Sequence, residues 1–182
     1  MKKFEEKTIQ SKSIYSGKVI SLKVDDVTLP NGGVSKREIV NHPGAVAIIA
    51  ITADKKIIFV EQYRKALERS IIEIPAGKLE PGEAPEVTAR RELEEETGYA
   101  CNELTYLQTF ATSPGFADEI IHLFLARGLH ILDKKAPTDE DEFVELLELT
   151  LEEAEQLVAE KKIYDAKTAF AVLWFKLNKE KI

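Results

Sequence analysis

Cysteine is almost absent from this chain. Cys101 is the only one in 182 residues, so no disulfide can form within the chain and a reducing, cytoplasmic setting is expected. A lone cysteine in such a setting is expected to be a small buried residue. Long hydrophobic runs are missing as well. The longest, Ala45 to Ile51, is far too short to cross a bilayer. The start, Met1 to Lys7, is basic but has no apolar segment after it, so no signal peptide is expected. There is no excess of positive charge. The formal net charge is -7, which argues against a nucleic-acid backbone or an anionic membrane as the main partner. An anionic substrate would then have to be attracted by metal ions and local arginines. The histidines, His42, His122 and His130, are scattered without ligand spacing and receive no metal role. No internal repeat, linker or low-complexity segment is found.

What remains is an ordinary globular composition, 44% hydrophobic and 31% charged, long enough for one substantial core and a small extra lobe. The informative stretch runs from Gly77 to Gly98. Pro81-Gly82 predicts a loop. A helix follows, with Pro85 suited to its first position and Gly98 to the left-handed residue just past its end. On that helix Thr88, Glu92, Glu95 and Glu96 fall at neighbour spacings, so three carboxylates share one face. Like charges at such spacings repel by roughly 0.2–0.5 kcal/mol per pair. A hard divalent cation with oxygen ligands would remove that penalty. Taken alone, a glutamate-rich face is more often simply solvated.

The loop and helix together carry a longer pattern: Gly77, five residues, Glu83, seven residues, Arg91-Glu92-Leu93, one residue, Glu95-Glu96, one residue, Gly98-Tyr99. This matches the Nudix box without a gap, and the chain resembles a Nudix hydrolase. The resemblance implies hydrolysis of a nucleoside diphosphate linked to another moiety, with two or more divalent ions per site, Mg²⁺ or Mn²⁺, on the diphosphate. It implies Glu92 and Glu96 as metal ligands, Glu95 as a ligand directly or through water and a contributor to catalysis, and the Ala76 carbonyl as a further ligand. Gly77, Glu83, Arg91 and Gly98 are implied as structural, with Arg91 pairing to its glutamate neighbours.

Along the rest of the chain, residues 13 to 40 are expected to form strands with a turn at Pro30 to Gly33, either a separate lobe or an extension of the main sheet. Ala45–Ile51 has the character of a strand buried on both faces. Ile57–Gln62 and Ile71–Ile74 follow as strands, the second leading directly into Pro75-Ala76-Gly77. Leu104–Phe110, Ile120–Ala126 and Phe143–Leu149 are further strands. Thr150 with Glu153 forms a capping box, and Asp165 caps a last helix in which Ala166, Phe170, Leu173 and Leu177 recur at helical spacing. The expected fold is α/β, a Nudix α/β/α sandwich with a mixed sheet over residues 43–182, preceded by a small antiparallel β lobe over 1–42.

Substrate class is carried by residues outside the box. Pro114 lies sixteen residues after Gly98, a spacing that resembles the ADP-ribose pyrophosphatase branch. Glu61-Gln62-Tyr63-Arg64, Glu73-Ile74-Pro75-Ala76-Gly77 and the acidic run ending Glu140-Asp141-Glu142 resemble it too. The resemblance implies phosphate contact by Arg64, a substrate site that includes Glu73, Pro114 and Gly115, and a general base in the acidic loop. Glu140 is assigned as that base and Glu142 as metal ligand or second base. It also implies a homodimer in which the N-terminal lobe serves adenosine recognition, with Tyr15, Arg37 and Glu38 as substrate contacts. Tyr15 is equally compatible with an ordinary strand residue, whereas for Arg37 substrate contact is the favoured reading. The predicted reaction is conversion of ADP-ribose and water to AMP and ribose 5-phosphate. Its rivals are the same chemistry on another nucleotide sugar or a dinucleoside polyphosphate, and a module that binds ADP-ribose without cleaving it.

Overall fold

The structure, a computed structural model, describes residues 3–133 and 143–181. It divides into two compact units. The first comprises the residues up to Gly44 together with 110–121. The second comprises 45–109 and 122 onward.

The first unit is built on a three-stranded antiparallel sheet of β1 (Lys7–Ser16), β2 (Ser21–Thr28) and β3 (Val34–Asn41), in that order. The β2–β3 hairpin keeps an unbroken register from Ser21↔Asn41 to Thr28↔Val34. Its turn is closed by Gly32, which at φ 84 takes the left-handed conformation that L side chains avoid. β1 starts earlier than the sequence suggests and is exposed along its whole length. Residues 110–121 join this unit through backbone hydrogen bonds from Val40 to Phe116 and from Asp118 to Val40. The Asp118 carboxylate fixes the same corner by accepting from the Asn41 side chain at 2.6 Å and the His42 amide at 2.8 Å.

The second unit holds β4 (Ala45–Ala50), β5 (Ile57–Arg64), β6 (Arg69–Glu73), β7 (Ala76–Lys78), β8 (Tyr99–Ala111), β9 (Ile120–Ile131) and β10 (Val144–Leu149), the ends of β8 and β9 running on into 110–121. One sheet has the order β10-β5-β6 and the other β7-β4-β9-β8. As its continuous apolar sequence predicts, β4 is buried from Val46 to Ala50. Three helices complete the unit: α1 (Pro85–Thr97), α2 (Leu151–Ala159) and α3 (Ala166–Asn178). Ala89 and Leu93 of α1 pack with Val46, Ile48 and Ile58 in the core. Full burial of a side chain such as Leu93 stabilises by roughly 1.5–3 kcal/mol.

The helix termini follow their sequence signals. Pro85 opens α1, and Gly98 closes it at φ 75 with its amide on the Glu94 carbonyl. Thr150 and Glu153 form the reciprocal capping box of α2, and Asp165 caps α3 through the Thr168 amide. The buried face of α3 departs from expectation. Leu173 and Leu177 are 60% and 81% exposed, while Thr168, Ala171, Val172 and Phe175 are buried. The cause is polar. The Thr168 hydroxyl accepts the buried Ile74 amide at 3.1 Å, which sets the rotation of the helix and turns that leucine stripe outward.

Candidate active site

The site is assembled where β6 ends, the chain passes through β7, and α1 begins. Ile74 and Pro75 are buried, and Ala76–Lys78, expected as the start of a loop, instead pairs antiparallel with Ala45–Ala47 of β4. That pairing sets the Ala76 backbone beside α1, and its amide donates to Glu96 Oε2 at 3.0 Å. Glu96 is only 1% exposed. A buried carboxylate is costly unless hydrogen-bonded or matched by positive charge, and a strand amide answers part of that cost. One strand residue on, a Cβ built on Gly77 would overlap the Glu92 carboxylate. Gly77 is therefore required by close approach, and its missing side chain is the slot in which Glu92 sits.

Arg91 gathers the remaining carboxylates. Its guanidinium lies 2.7 Å from Glu95 Oε2, 2.9 Å from Glu92 Oε1 and 3.4 Å from Glu83 Oε2. Burial works against the charge on Arg91, but Glu92, Glu95 and Glu83 outweigh it and hold the guanidinium firmly protonated. Glu83 folds back over the first turn of α1, where it accepts from the Thr88 hydroxyl at 2.7 Å. That bond first, and Arg91 second, hold the Glu83 carboxyl below the usual range.

A second constellation adjoins the first. Glu73, the last residue of β6, is buried, with both carboxylate oxygens engaged: Oε2 by Arg64 Nε at 2.6 Å and Oε1 by Lys167 Nζ at 2.5 Å. Lys167 also contacts Asp165 Oδ1 at 3.0 Å, the oxygen that caps α3. Arg64 loses some of its proton affinity to burial, but Glu73 above all, and then Glu96 and Asp165, raise its pKa above the ordinary value. The influence of Glu96 ties Arg64 electrostatically to the acidic face of α1.

Of the residues predicted from sequence, Arg64, Glu73, Ala76, Gly77, Glu83, Arg91, Glu92, Glu95, Glu96 and Gly98 therefore come together in the second unit. Tyr15, Arg37, Glu38, Pro114 and Gly115 lie in the first. Tyr15, Pro114 and Gly115 are exposed, and Arg37 is engaged by Glu6 through Nε at 2.8 Å and Nη2 at 2.5 Å. Glu140 and Glu142 lie outside the described residues. Lys167 was missed. A lysine in the first turn of a helix opposes the macrodipole by about 0.3–1 kcal/mol, and that mismatch was the available signal for a buried acidic partner.

Comparison with known proteins bears directly on this arrangement. The model of the NUDIX domain matches residues 41–170, and that of the nucleoside diphosphate sugar hydrolase N-terminal domain matches 6–40. The chain belongs to the Nudix family. This Nudix chain is 65% identical over 177 residues to a methanol dehydrogenase activator of Bacillus methanolicus, covering 97% of the chain and 96% of that protein. It is 62% identical over 178 residues to an ADP-ribose pyrophosphatase of Bacillus subtilis (strain 168), covering 98% and 96%. Among solved structures, that of an ADP compounds hydrolase superposes with a TM-score of 0.82 over 94% of this chain and 95% of its own, at 22% identity. That likeness supports the α/β fold with its added antiparallel sheet.

Nudix hydrolases use divalent metal ions, and the residues present suit them. The donors are carboxylates beside a strand backbone, the oxygen chemistry a hard cation takes, and the Gly77 slot admits Glu92 against that strand. Among the described residues no cluster of three or more such groups is already drawn together into a cage. Arg91 holds Glu92 and Glu95 in its place, so the guanidinium stands in for part of the positive charge that the acidic face requires.

Proposed function

We propose that this Nudix protein hydrolyses the diphosphate bond of ADP-ribose, giving AMP and ribose 5-phosphate, with Mg²⁺ as the metal and two or more ions per site. The observation that carries the reading is the acidic face of α1, with Glu96 fixed to the Ala76 amide and Glu92 seated at Gly77. Full-length identity of 62% to a protein named for this activity supports the choice of substrate. Glu92, Glu95, Glu96 and the Ala76 carbonyl would hold the metal, which supplies charge neutralisation at the diphosphate and an acidified water. The chain's own residues do the rest. Arg91 holds the carboxylates of Glu92 and Glu95 beside the site, and binding of the metal would require them to turn from the guanidinium. Arg64 offers its guanidinium to a phosphate oxygen, and Glu73 holds that guanidinium. With both oxygens occupied, Glu73 serves the substrate through Arg64 rather than by direct contact.

The proton of the attacking water passes to a carboxylate of the acidic loop, Glu140 in the first place and Glu142 as second base or metal ligand. Adenosine recognition is assigned to the first unit, with Tyr15, Arg37, Glu38, Pro114 and Gly115 as contacts. The working form is a cytoplasmic homodimer. Full exposure of β1, with Ile9, Ile14 and Tyr15 on it, supports a covering partner.

The test is a substrate panel with Mg²⁺: ADP-ribose, other nucleotide sugars and dinucleoside polyphosphates. ADP-ribose should give the highest kcat/KM, and an equal or higher value for another member would overturn the substrate assignment. The match of residues 6–40 to a domain of nucleoside diphosphate sugar hydrolases favours other nucleotide sugars as the second reading. A non-catalytic binding module would turn over none of the panel.

A further inference from the structure

We propose that Lys167 is a positioning residue for this hydrolysis: by clamping one oxygen of buried Glu73, it leaves the other to hold Arg64 through Nε alone, with both terminal guanidinium nitrogens free for the diphosphate. The inference rests on the hydrolase reading above and adds a residue that the Nudix box does not contain.

The geometry is specific. The Glu73 side chain is 3% exposed and Lys167 11%, whereas Arg64 is 41% exposed. The network thus runs from Glu73 and Lys167, both largely buried, to an open end at Arg64. Glu73 Oε1 is taken by Lys167 at 2.5 Å and Oε2 by Arg64 Nε at 2.6 Å. Among the described residues, Nη1 and Nη2 of Arg64 make no hydrogen bond to protein, and such planar paired donors suit phosphate oxygens. Two carboxylates, Glu73 and Asp165, are balanced by two cations, Lys167 and Arg64. If Lys167 is removed, the buried carboxylate is left with Arg64 as its only cation among the described residues. The guanidinium would then swing to engage Glu73 with an Nη as well as Nε, the favoured two-bond geometry, and a donor would be withdrawn from the substrate. The chain secures the clamp from both sides. Lys167 is held at the α3 N-terminus by Asp165, and α3 is anchored beside β6 through the bond from the Ile74 amide to the Thr168 hydroxyl.

The experiment is a double-mutant cycle on Lys167→Met and Arg64→Ala in the full chain, reading KM and kcat for ADP-ribose with saturating Mg²⁺. Lys167→Met should raise KM about tenfold, the loss expected for one charge-assisted hydrogen bond to phosphate, and Arg64→Ala, which removes both terminal donors, should raise it further, each with a smaller change in kcat. The double variant should be no worse than Arg64→Ala alone, because Lys167 acts only through Arg64. Lys167→Arg should recover most of the loss, since it restores a cation against Glu73. A general loss of packing would instead lower kcat in both backgrounds and add to the effect of Arg64→Ala. Unchanged KM in Lys167→Met, or additive effects in the double variant, would overturn the inference. If Lys167→Met does not fold, Lys167→Gln is read by the same cycle. Failure of the hydrolase reading is separate, because the unmodified protein would then show no turnover of ADP-ribose.

Discussion

Replacing Gly77 by alanine adds one carbon at the most crowded point of the proposed metal site. The backbone there is not left-handed, so alanine brings no conformational penalty, and the effect is purely one of space. The new Cβ would overlap the carboxyl group of Glu92. Relief requires either that Glu92 leave its rotamer or that β7 draw away from β4, where Gly77 pairs with Val46. Leaving the rotamer also breaks the 2.9 Å contact between Glu92 and Arg91. Overpacking of this kind costs about 1–3 kcal/mol. For a chain of this size each kcal/mol lowers Tm by about 2–4 °C, so a fall of roughly 2–12 °C is expected. Turnover should suffer more than stability, because a ligand displaced by about 1 Å can cost roughly a hundredfold in rate. Gly82→Ala is the matched comparison. Its Cβ meets no atom within 4 Å, but its φ is +83, so a cost of about 1–2 kcal/mol is expected from backbone strain alone. Thermal melts and ADP-ribose turnover on both variants decide the matter. If Gly77→Ala keeps wild-type activity, or Gly82→Ala loses as much activity for the same change in Tm, Glu92 is not the group that the slot exists to seat.

Three further outcomes follow from the same geometry. Glu96→Gln should abolish most turnover while the fold is kept, since an amide oxygen can still accept from Ala76; unchanged turnover would refute the metal assignment. Thr88→Val removes the hydroxyl that lowers the Glu83 pKa. The stabilisation so lost is present above the unfolded pKa of a glutamate and vanishes as pH falls through the lower folded value, so urea melts of the two proteins should converge in acid. The Tyr99 phenol, bonded to Glu148 at 2.6 Å, is pushed up to about 12. That contribution is fully present below the unfolded phenol pKa and is lost as pH rises through the folded one, so Glu148→Gln should bring the Tyr99 ultraviolet titration back towards 10.

The parts of the fold that were legible in the sequence are those fixed locally. Pro85, Gly98, Thr150 and Asp165 end helices through contacts within one turn, and each terminus was read from its own residue. The apolar run of β4 declared its burial in the same way. The parts that were not legible depend on partners far along the chain. Ala76–Lys78 has no strand character of its own and becomes β7 through pairing with β4. Lys167 meets Glu73 across 94 residues. The outward turn of Leu173 goes with the bond that Thr168 accepts from the Ile74 amide, 94 residues away. Within the candidate site, the box residues share a short span and were all identified from it. The pairing of Arg91 with its glutamate neighbours was also expected, whereas Glu73 as the support of Arg64 required coordinates.

β1 begins at Lys7, ahead of the strand expected from residue 13. β1 pairs with β2 on one side only, and its register shifts between Thr8 and Gln10 and again between Ser13 and Tyr15. Ile9 and Ile14, the aliphatic residues of the strand, are the ones left out of the ladder at those shifts. This is why no alternating pattern announced the strand. A bulge bends an edge strand and re-aims the extra side chain, so both isoleucines are directed by the irregularities rather than by the pleat, and both remain exposed. A polar edge strand needs no such residues for solubility, and isoleucine in water forgoes about 1.5–3 kcal/mol of burial. The proposed homodimer would cover both with a second copy of the chain. Sedimentation should therefore give a dimer at micromolar concentration, and Ile9→Lys with Ile14→Lys should give a monomer whose melting temperature no longer rises with protein concentration. A wild-type monomer, or a dimer indifferent to both lysines, would mean that the isoleucines of β1 serve no interface.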